Sequence, residues 1–396
     1  LFEKNEWDTL EIVCSRLIEI HQESSTLLNI SAIARRELGL WVQAKERHLA
    51  AIKHDPKNAG LRVNYGNTLT RSGEIENAIE AFLSAISINE NLADAYNSLA
   101  TCYEDLGNYE AAERYLNLAL SKNPNYGEAL YNLGGLKLRS YDFALGWPLR
   151  EYRWNTRDLH GELQKFEGEP WKGEKTGTLF VWGEQGIGDE VLFASCIKEL
   201  LELCETLIFS VSKKSLEIFR RSFPQAVVLD REEIPSDLYY DCQTPLMTAL
   251  SLLRKSKSCF RNQDKKYLKV DQSLERSWKS ELKEKSNGQP VIGISWFSQA
   301  KRVGEHRSIN LPKLVGSIPK DAVLVNLQYG KVEEEISQLK QSENRHIEVV
   351  EGADVSNCMD HLAALISACD YVVSVDNSTV HFCGALDKEC HLILPF

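Results

Sequence analysis

Four short stretches of the chain carry side chains able to do chemistry. Gly183-Glu184-Gln185-Gly186-Ile187-Gly188-Asp189-Glu190 is glycine-rich and ends in two carboxylates. Its glycines, Gly186 and Gly188 among them, let a ligand approach the backbone. No Gly-Lys-Ser/Thr follows, so it is not a P-loop, and it fits GxGxxG only loosely. The stretch from Phe297 to Ser308 holds Lys301, Arg302 and Arg307. Cations there would neutralise a diphosphate, at about 1.5–3 kcal/mol per charge-assisted bond. Tyr329-Gly330 forms a third stretch. The fourth, Asp376-Asn377-Ser378-Thr379-Val380-His381, offers two hydroxyls and the free amides of a helix start, which suit a phosphate. Plainer readings stand beside these. Asp189 would only cap the following helix, worth ~1 kcal/mol. Residues 376–379 would be a capping cluster without a ligand, His381 a structural histidine, and Lys301 and Arg302 solvated loop charges.

These stretches share a position relative to the elements around them. Each follows a short apolar run: TLFVW (178–182), PVIGISW (290–296), AVLVNLQ (322–328) and YVVSVD (371–376). Further runs are TLIFSV (206–211), AVVLD (226–230), HIEVV (346–350) and CHLILP (390–395), with amphipathic stretches such as MDHLAALISAC (359–369) between them and a helix expected from Glu190 to Leu203. Alternation of this kind predicts parallel, doubly wound sheets. The runs are too many for one sheet, and the polar stretch Asp271–Gln289 is the natural divider between two Rossmann-like halves. In such sheets ligands bind beyond the carboxyl ends of the strands, where all four stretches fall.

The first third repeats every 34 residues. Gly39, Gly73 and Gly107 are in phase, as are Ala44, Ala78 and Ala112, and Ala51, Ala85 and Ala119. Ala32, Gly66, Ala100 and Gly134 carry one column to a fourth copy, and Pro56 and Pro124 close two repeats. The small residues let paired helices approach, and the glycines fall where the first helix of each pair must end. The pattern resembles the tetratricopeptide repeat (TPR), a helical solenoid whose concave face takes peptides or protein partners. Residues 1–24 read as one preceding helix. The repeat is expected to break at Asp142, where a tryptophan-rich capping segment with Trp147, Tyr152 and Trp154 begins. Asn97 and Asn132 are offset by one residue from the period and predict no clean ladder.

Composition narrows the rest. The chain has 396 residues, 43% apolar and 26% charged, with a formal net charge of −11. That is globular composition, and it argues against a nucleic-acid partner. The acidity is densest in residues 1–126, with 12 Lys+Arg against 18 Asp+Glu. No apolar run reaches the roughly 18–20 residues of a transmembrane helix. The ten cysteines form no CxxC and read as reduced thiols of a cytoplasmic protein. Both ends read as fragment ends, since the chain starts at Leu1 and stops just after an apolar run.

Taken together, GEQGIGDEVLF, the GISW strand, RSINL, NLQYG and SVDNSTVHFCGAL resemble the C-terminal domain of bacterial TPR proteins similar to glycosyltransferase family 9, the heptosyltransferases. The GWPLREYRW…EPW segment matches the same architecture. The resemblance implies a TPR solenoid (1–140), a capping helix and linker (141–172), and a GT-B pair of Rossmann-like domains (173–275 and 276–396), the second truncated. It implies transfer of a sugar from a nucleotide sugar to an acceptor hydroxyl, on a protein presented by the solenoid or on a glycan. Asp189 would be the general base. Arg307 and Asp376, Asn377, Ser378, Thr379 and His381 would hold the nucleotide diphosphate, and Ser295 and Gln328 would line the donor cleft. No cofactor and no metal is implied, the nucleotide sugar being a substrate. One departure is Asp387, where the family reads glycine, which is expected to alter a turn near the cleft. The competing expectation is a non-catalytic TPR scaffold with a degenerate transferase-like domain.

Overall fold

The structure, a computed structural model, describes residues 6–21, 24–157, 159, 166–260, 264–299, 304, 307–343 and 345–394. Lys301 and Arg302 lie outside the described residues. The chain forms two compact units, Leu1–Leu163 and Gln164–Pro395.

The first unit is built of helices α1 (Trp7–Ile20), α2 (Ser25–Glu37), α3 (Trp41–His54), α4 (Ala59–Arg71), α5 (Ile75–Ile88), α6 (Ala93–Asp105), α7 (Tyr109–Lys122), α8 (Gly127–Arg139) and α9 (Phe143–Arg150). From α2 onward they pair antiparallel. Each pair turns through a left-handed residue: Gly39 (φ 74°), Gly73 (81°) and Gly107 (71°). The amide one residue further on then reaches back five residues to a helix carbonyl, Leu40 to Arg35 at 2.8 Å, Glu74 to Leu69 at 2.9 Å and Asn108 to Tyr103 at 2.8 Å. This is the αL closure that glycine allows without strain.

The expected break at Asp142 does not occur. Tyr141, 34 residues after Gly107, takes the same left-handed conformation (φ 63°), and Asp142 donates to Lys137 O at 2.8 Å. Gly146 continues the column of Ala44, Ala78 and Ala112, so α9 is the second helix of a fourth repeat. The physical reason is local: Asp142 caps α9 by accepting from Leu145 N (3.2 Å), as Asn108 caps α7. Pro148 lies within α9, which ends after eight residues and runs into a 3-10 turn, Glu151–Asn155. That turn does cover α8, as a cap should. A Cβ on Gly127 would lie 2.6 Å from Asn155 O, and Arg150 stacks over Tyr131 at 3.6 Å. Trp154 is buried, whereas Tyr152 stays 40% exposed and covers less than expected. The small-residue columns sit at real close approaches, since a Cβ on Gly66 would be 2.6 Å from the ring of buried Phe82.

The second unit alternates strands and helices: β1 (Glu169–Pro170), β2 (Thr176–Trp182), α10 (Ile187–Phe193), α11 (Ile197–Leu203), β3 (Cys204–Val211), α12 (Leu216–Ser222), β4 (Val227–Asp230), β5 (Cys242–Pro245), α13 (Leu246–Leu253), α14 (Gln272–Ser286), β6 (Val291–Ser295), α15 (Leu311–Gly316), β7 (Val323–Asn326), α16 (Glu333–Glu343), β8 (Ile347–Glu348), α17 (Met359–Ala368), β9 (Tyr371–Val375), α18 (Ser378–Ala385) and β10 (Cys390–Ile393). They make two five-stranded sheets, ordered β1-β5-β2-β3-β4 and β10-β9-β6-β7-β8. Neighbouring strands are parallel throughout both. The strand order reverses between β2 and β5 in one sheet and between β6 and β9 in the other. Those switch points open the crevices where such sheets take ligands.

Three details differ from expectation. The helix expected over 190–203 starts at Ile187 and is interrupted by a 3-10 turn at Ala194–Cys196. The polar divider is itself mostly helix α14, capped by Asp271 and burying Trp278 and Leu282, so residue 275 lies inside it. Strand β5 carries the polar run Cys242-Gln243-Thr244, whose Gln243 Oε1 accepts from Trp182 Nε1 at 2.7 Å. Between the two sheets, Arg221 of α12 grips Asp360 of α17 with two bonds of 2.5 and 2.6 Å.

Candidate functional site

The loop after β2 is held from three sides. Gln185 is left-handed without being glycine (φ 61°), and its carbonyl accepts from Arg231 Nη1 at 3.0 Å. Glu184 is buried and accepts from Met247 N, at the start of α13, at 3.0 Å. Asp189 lies in the first turn of α10, and its Oδ2 accepts from Gly186 N at 3.2 Å. The capping role is therefore present. It leaves the carboxylate partly exposed, so capping does not preclude another use.

The loop after β9 meets it. A Cβ on Gly188 would stand 2.8 Å from His381 Cδ2 and 3.5 Å from Ser378 Cα. Only glycine lets α10 and α18 come this close, which joins the two switch points. Arg307 pairs with Asp376 at 3.1 Å, the side chains remaining 40% and 33% exposed. Burial holds His381 below the ordinary imidazole pKa; Asp189 and Asp376 pull it up and Arg307 pushes it down. At neutral pH the ring is thus uncharged and able to donate or accept. Asp189, Arg307, Asp376, Ser378 and His381 form one cluster at the carboxyl ends of both sheets.

Other predicted residues stand behind that cluster. Ser295 and Gln328 are fully buried and line no cleft. Gln328 Oε1 accepts from Ser295 Oγ (2.9 Å), Trp296 N (2.7 Å) and Phe297 N (2.9 Å). Asn377 Nδ2 donates to Ser295 Oγ (2.8 Å) and to Phe297 O (3.0 Å), while its Oδ1 accepts from Thr379 N (3.0 Å) and Ser374 Oγ (3.2 Å). Buried polar groups must satisfy one another, and these do so by splicing the ends of β6, β7 and β9. Thr379 is fully buried, so of the two hydroxyls expected to face a phosphate only that of Ser378 is partly exposed. Asp376 is a carboxylate and cannot accept a phosphate; what it does is orient Arg307. The glycines at 186 and 188 serve the loop and the close approach.

Asp387 keeps the turn it was expected to alter. It adopts φ 54°, and Lys388 N still closes on Cys383 O at 2.9 Å. Asn97 and Asn132 do pair, Nδ2 to Oδ1 at 3.0 Å, as do Asn64 and Asn29 at 3.2 Å. The one-residue offset is what brings adjacent helices into register there. Sequence reasoning missed Glu190 and Arg231, which bind each other at 2.9 Å beneath the glycine-rich loop. The only signals available were adjacency to Asp189 and position after a strand. An open cavity of about 580 Å³ lies away from this cluster, at the start of α14, lined by Arg221, Lys266, Lys269 and Asp271 among others.

Residues 66–107 match the TPR repeat family and residues 93–126 the tetratricopeptide repeat. Protein FlbA of Caulobacter vibrioides is 27% identical over 390 residues, a match covering 92% of this chain. The chain spans 65% of the length of that relative. Among solved structures, MamA is 20% identical with a TM-score of 0.33, covering 41% of this chain and 94% of its own. A thermophilic TPR protein of Thermus thermophilus is 19% identical with a TM-score of 0.37, covering 42% and 90%. The matched residues run from within α4 to just past α7. Among the described residues, no helix is long and apolar enough to cross a membrane.

Proposed function

We propose that the α/β unit binds a nucleotide sugar and transfers its sugar to an acceptor hydroxyl, and that the repeats recruit a protein that carries or presents that acceptor. The observation that carries this reading is the approach of Gly188 to His381, which sets Asp189 of one sheet beside Arg307, Ser378 and His381 of the other. A donor bound at the second switch point would place its diphosphate against Arg307 and Ser378, with His381 a neutral hydrogen-bond partner. An acceptor hydroxyl at the first would face Asp189, whose carboxylate would take its proton. Fixed cationic and dipolar groups stabilise a departing diphosphate without reorganising.

The donor is tested first. UDP, ADP and GDP are added in turn and thermal unfolding is followed. The nucleotide that fits stabilises by about 2.7 kcal/mol at a hundredfold excess over its Kd. Arg307→Ala weakens that binding about tenfold or more, the scale of one charge-assisted bond. Asp189→Asn abolishes transfer and spares nucleotide affinity; unchanged turnover would refute the base.

The second reading, a scaffold whose α/β unit has no catalytic role, draws on a different observation. Arg307 is already paired with Asp376, and Asn377 occupies the Thr379 amide that a phosphate would use. This reading requires a flat response to all three nucleotides.

A further inference from the structure

The most deeply buried carboxylate near the cluster belongs to Glu190, next in sequence to Asp189. It is fully buried at the heart of the first sheet's switch point. Its Oε1 and Oε2 accept from Ser212 N, just past β3, at 3.0 and 3.2 Å. Its Oε1 accepts from Arg231 Nη1, just past β4, at 2.9 Å. The same Nη1 donates to Gln185 O at 3.0 Å. The glycine-rich loop wraps this carboxylate at backbone contact, since a Cβ on Gly183 would lie 3.0 Å from Glu190 Oε1. One carboxylate thereby ties together the ends of β2, β3 and β4.

We propose that Glu190 is a positioning residue: through Arg231 it holds the left-handed turn at Gln185 and so fixes where Asp189 stands. The consequence for chemistry rests on the reading of Asp189 as the base; the positioning of the loop does not. Burying an ionised carboxylate is expensive, and shape alone would be met by an uncharged side chain. A charge here does something shape does not. It orders an arginine whose second bond is to a strained turn, and Arg231 remains partly exposed.

The charged groups facing Glu190 are Arg231, beyond β4, and Asp189, on its own helix. Burial pushes its pKa up to about 7, helped by Asp189 and opposed by Arg231 and the Ser212 amide. The clamp is accordingly poised near neutrality. Protonation weakens the hold on Arg231 and loosens the loop as pH falls below 7.

The test is amide hydrogen exchange on the full chain without any nucleotide, read over residues 183–190 and corrected for the intrinsic pH dependence of exchange. Arg231→Met should speed exchange at Gly186 and its neighbours at least about tenfold, the factor expected when a charge-assisted bond is lost. Arg231→Lys, which keeps the charge but replaces the planar guanidinium with a compact ammonium on a shorter side chain, should fall between. The native loop should show an inflection near pH 7, and Glu190→Gln should remove it. Loop exchange equal to the native chain's in Arg231→Met overturns the proposal, even if Glu190→Gln fails to fold. A loop that responds as expected in a chain that binds no nucleoside diphosphate sustains the positioning and removes the transferase reading instead.

Discussion

The helical repeats and the two sheets satisfy their polar groups by opposite means. In the repeats the same bond recurs with the period. Asn64 donates to Asn29 and Asn132 to Asn97, each pair 35 residues apart, and the carbonyls of Arg35, Leu69, Tyr103 and Lys137 all accept at a spacing of 34. Each bond serves only its own repeat and the next, as expected of a quasi-one-dimensional stack. Among the described residues of the sheets, the buried polar arrangements are each different. Gln328, Ser295 and Asn377 close one knot at the ends of β6, β7 and β9, and Glu190 with Arg231 closes another at the ends of β2, β3 and β4. Both knots sit at switch points, directly behind the exposed cluster. Repeated polar bonds mark architecture; the unique buried ones fix the backbone at the carboxyl ends of the strands.

If that contrast is sound, the largest losses in the repeats come from apolar packing. Phe82 is fully buried against Gly66, and Phe82→Ala should lower stability in urea by about 3–5 kcal/mol. A loss under 1 kcal/mol would mean that the close approach at Gly66 is not tight in solution. The next largest effect is pH-dependent and also lies in the repeats. His48 is fully buried, with Nε2 2.9 Å from Thr68 Oγ1, and burial, reinforced by Arg36, lowers its pKa to about 3. The unfolded chain binds a proton near 6.5 that the folded chain refuses, so stability falls as pH drops from 6.5 toward 3. The slope is about 1.4 kcal/mol per pH unit for this one group. His48→Phe should remove that component, seen as a shallower loss of urea midpoint between pH 6.5 and 4 than in the native chain.

A direct break of the comparison pairs two asparagines. Asn377→Ala removes the cap of α18 and the bonds to Ser295 Oγ and Phe297 O, leaving Ser295 Oγ only its bond to Gln328, and should cost about 2–3 kcal/mol. Asn97→Ala removes one half-buried inter-repeat bond and should stay within about 0.5 kcal/mol. Equal losses, measured by chemical denaturation, would erase the distinction between repeated and unique polar bonds.

Period and alternation made most of the architecture readable. A column such as Gly39, Gly73 and Gly107 states a backbone conformation outright, and runs such as TLFVW and YVVSVD state buried parallel strands. The fourth repeat escaped because its markers had changed: Tyr141 replaces the glycine, Gly146 replaces the alanine, and Pro148 lies within a shortened helix. Strand β5 escaped because Gln243 and Thr244 are buried polar residues, which no hydrophobic pattern reveals. In the site, the stretches beyond strand ends could be chosen from topology alone, and Asp189, Arg307, Ser378 and His381 do come together there. Which side chains turn inward could not be read. Ser295, Gln328 and Asn377 look like ligand-binding groups in sequence because they are polar and sit at strand ends. Only their mutual distances show that they satisfy each other. The pairing of Glu190 with Arg231 was missed for the complementary reason: it is a long-range contact, and neither adjacency to Asp189 nor position after a strand reveals it.

The smallest expected effect compares one turn made in both regions. Asn108 N closes on Tyr103 O at 2.8 Å around Gly107, and Lys388 N closes on Cys383 O at 2.9 Å around Asp387. The central residues have φ 71° and 54°. Glycine adopts that conformation freely, whereas aspartate is strained in it. No atom lies within 4 Å of a Cβ built on Gly107, so a side chain there meets backbone strain alone. Asp387→Gly should raise stability by about 0.5–1 kcal/mol, and Gly107→Asp should lower it by a similar amount. The two shifts, read as urea midpoints, should be close to equal and opposite if the turn is conformationally the same in the repeats and beside the candidate site. A loss of stability in Asp387→Gly would show instead that the aspartate carboxylate makes a favourable interaction which outweighs the strain of its backbone.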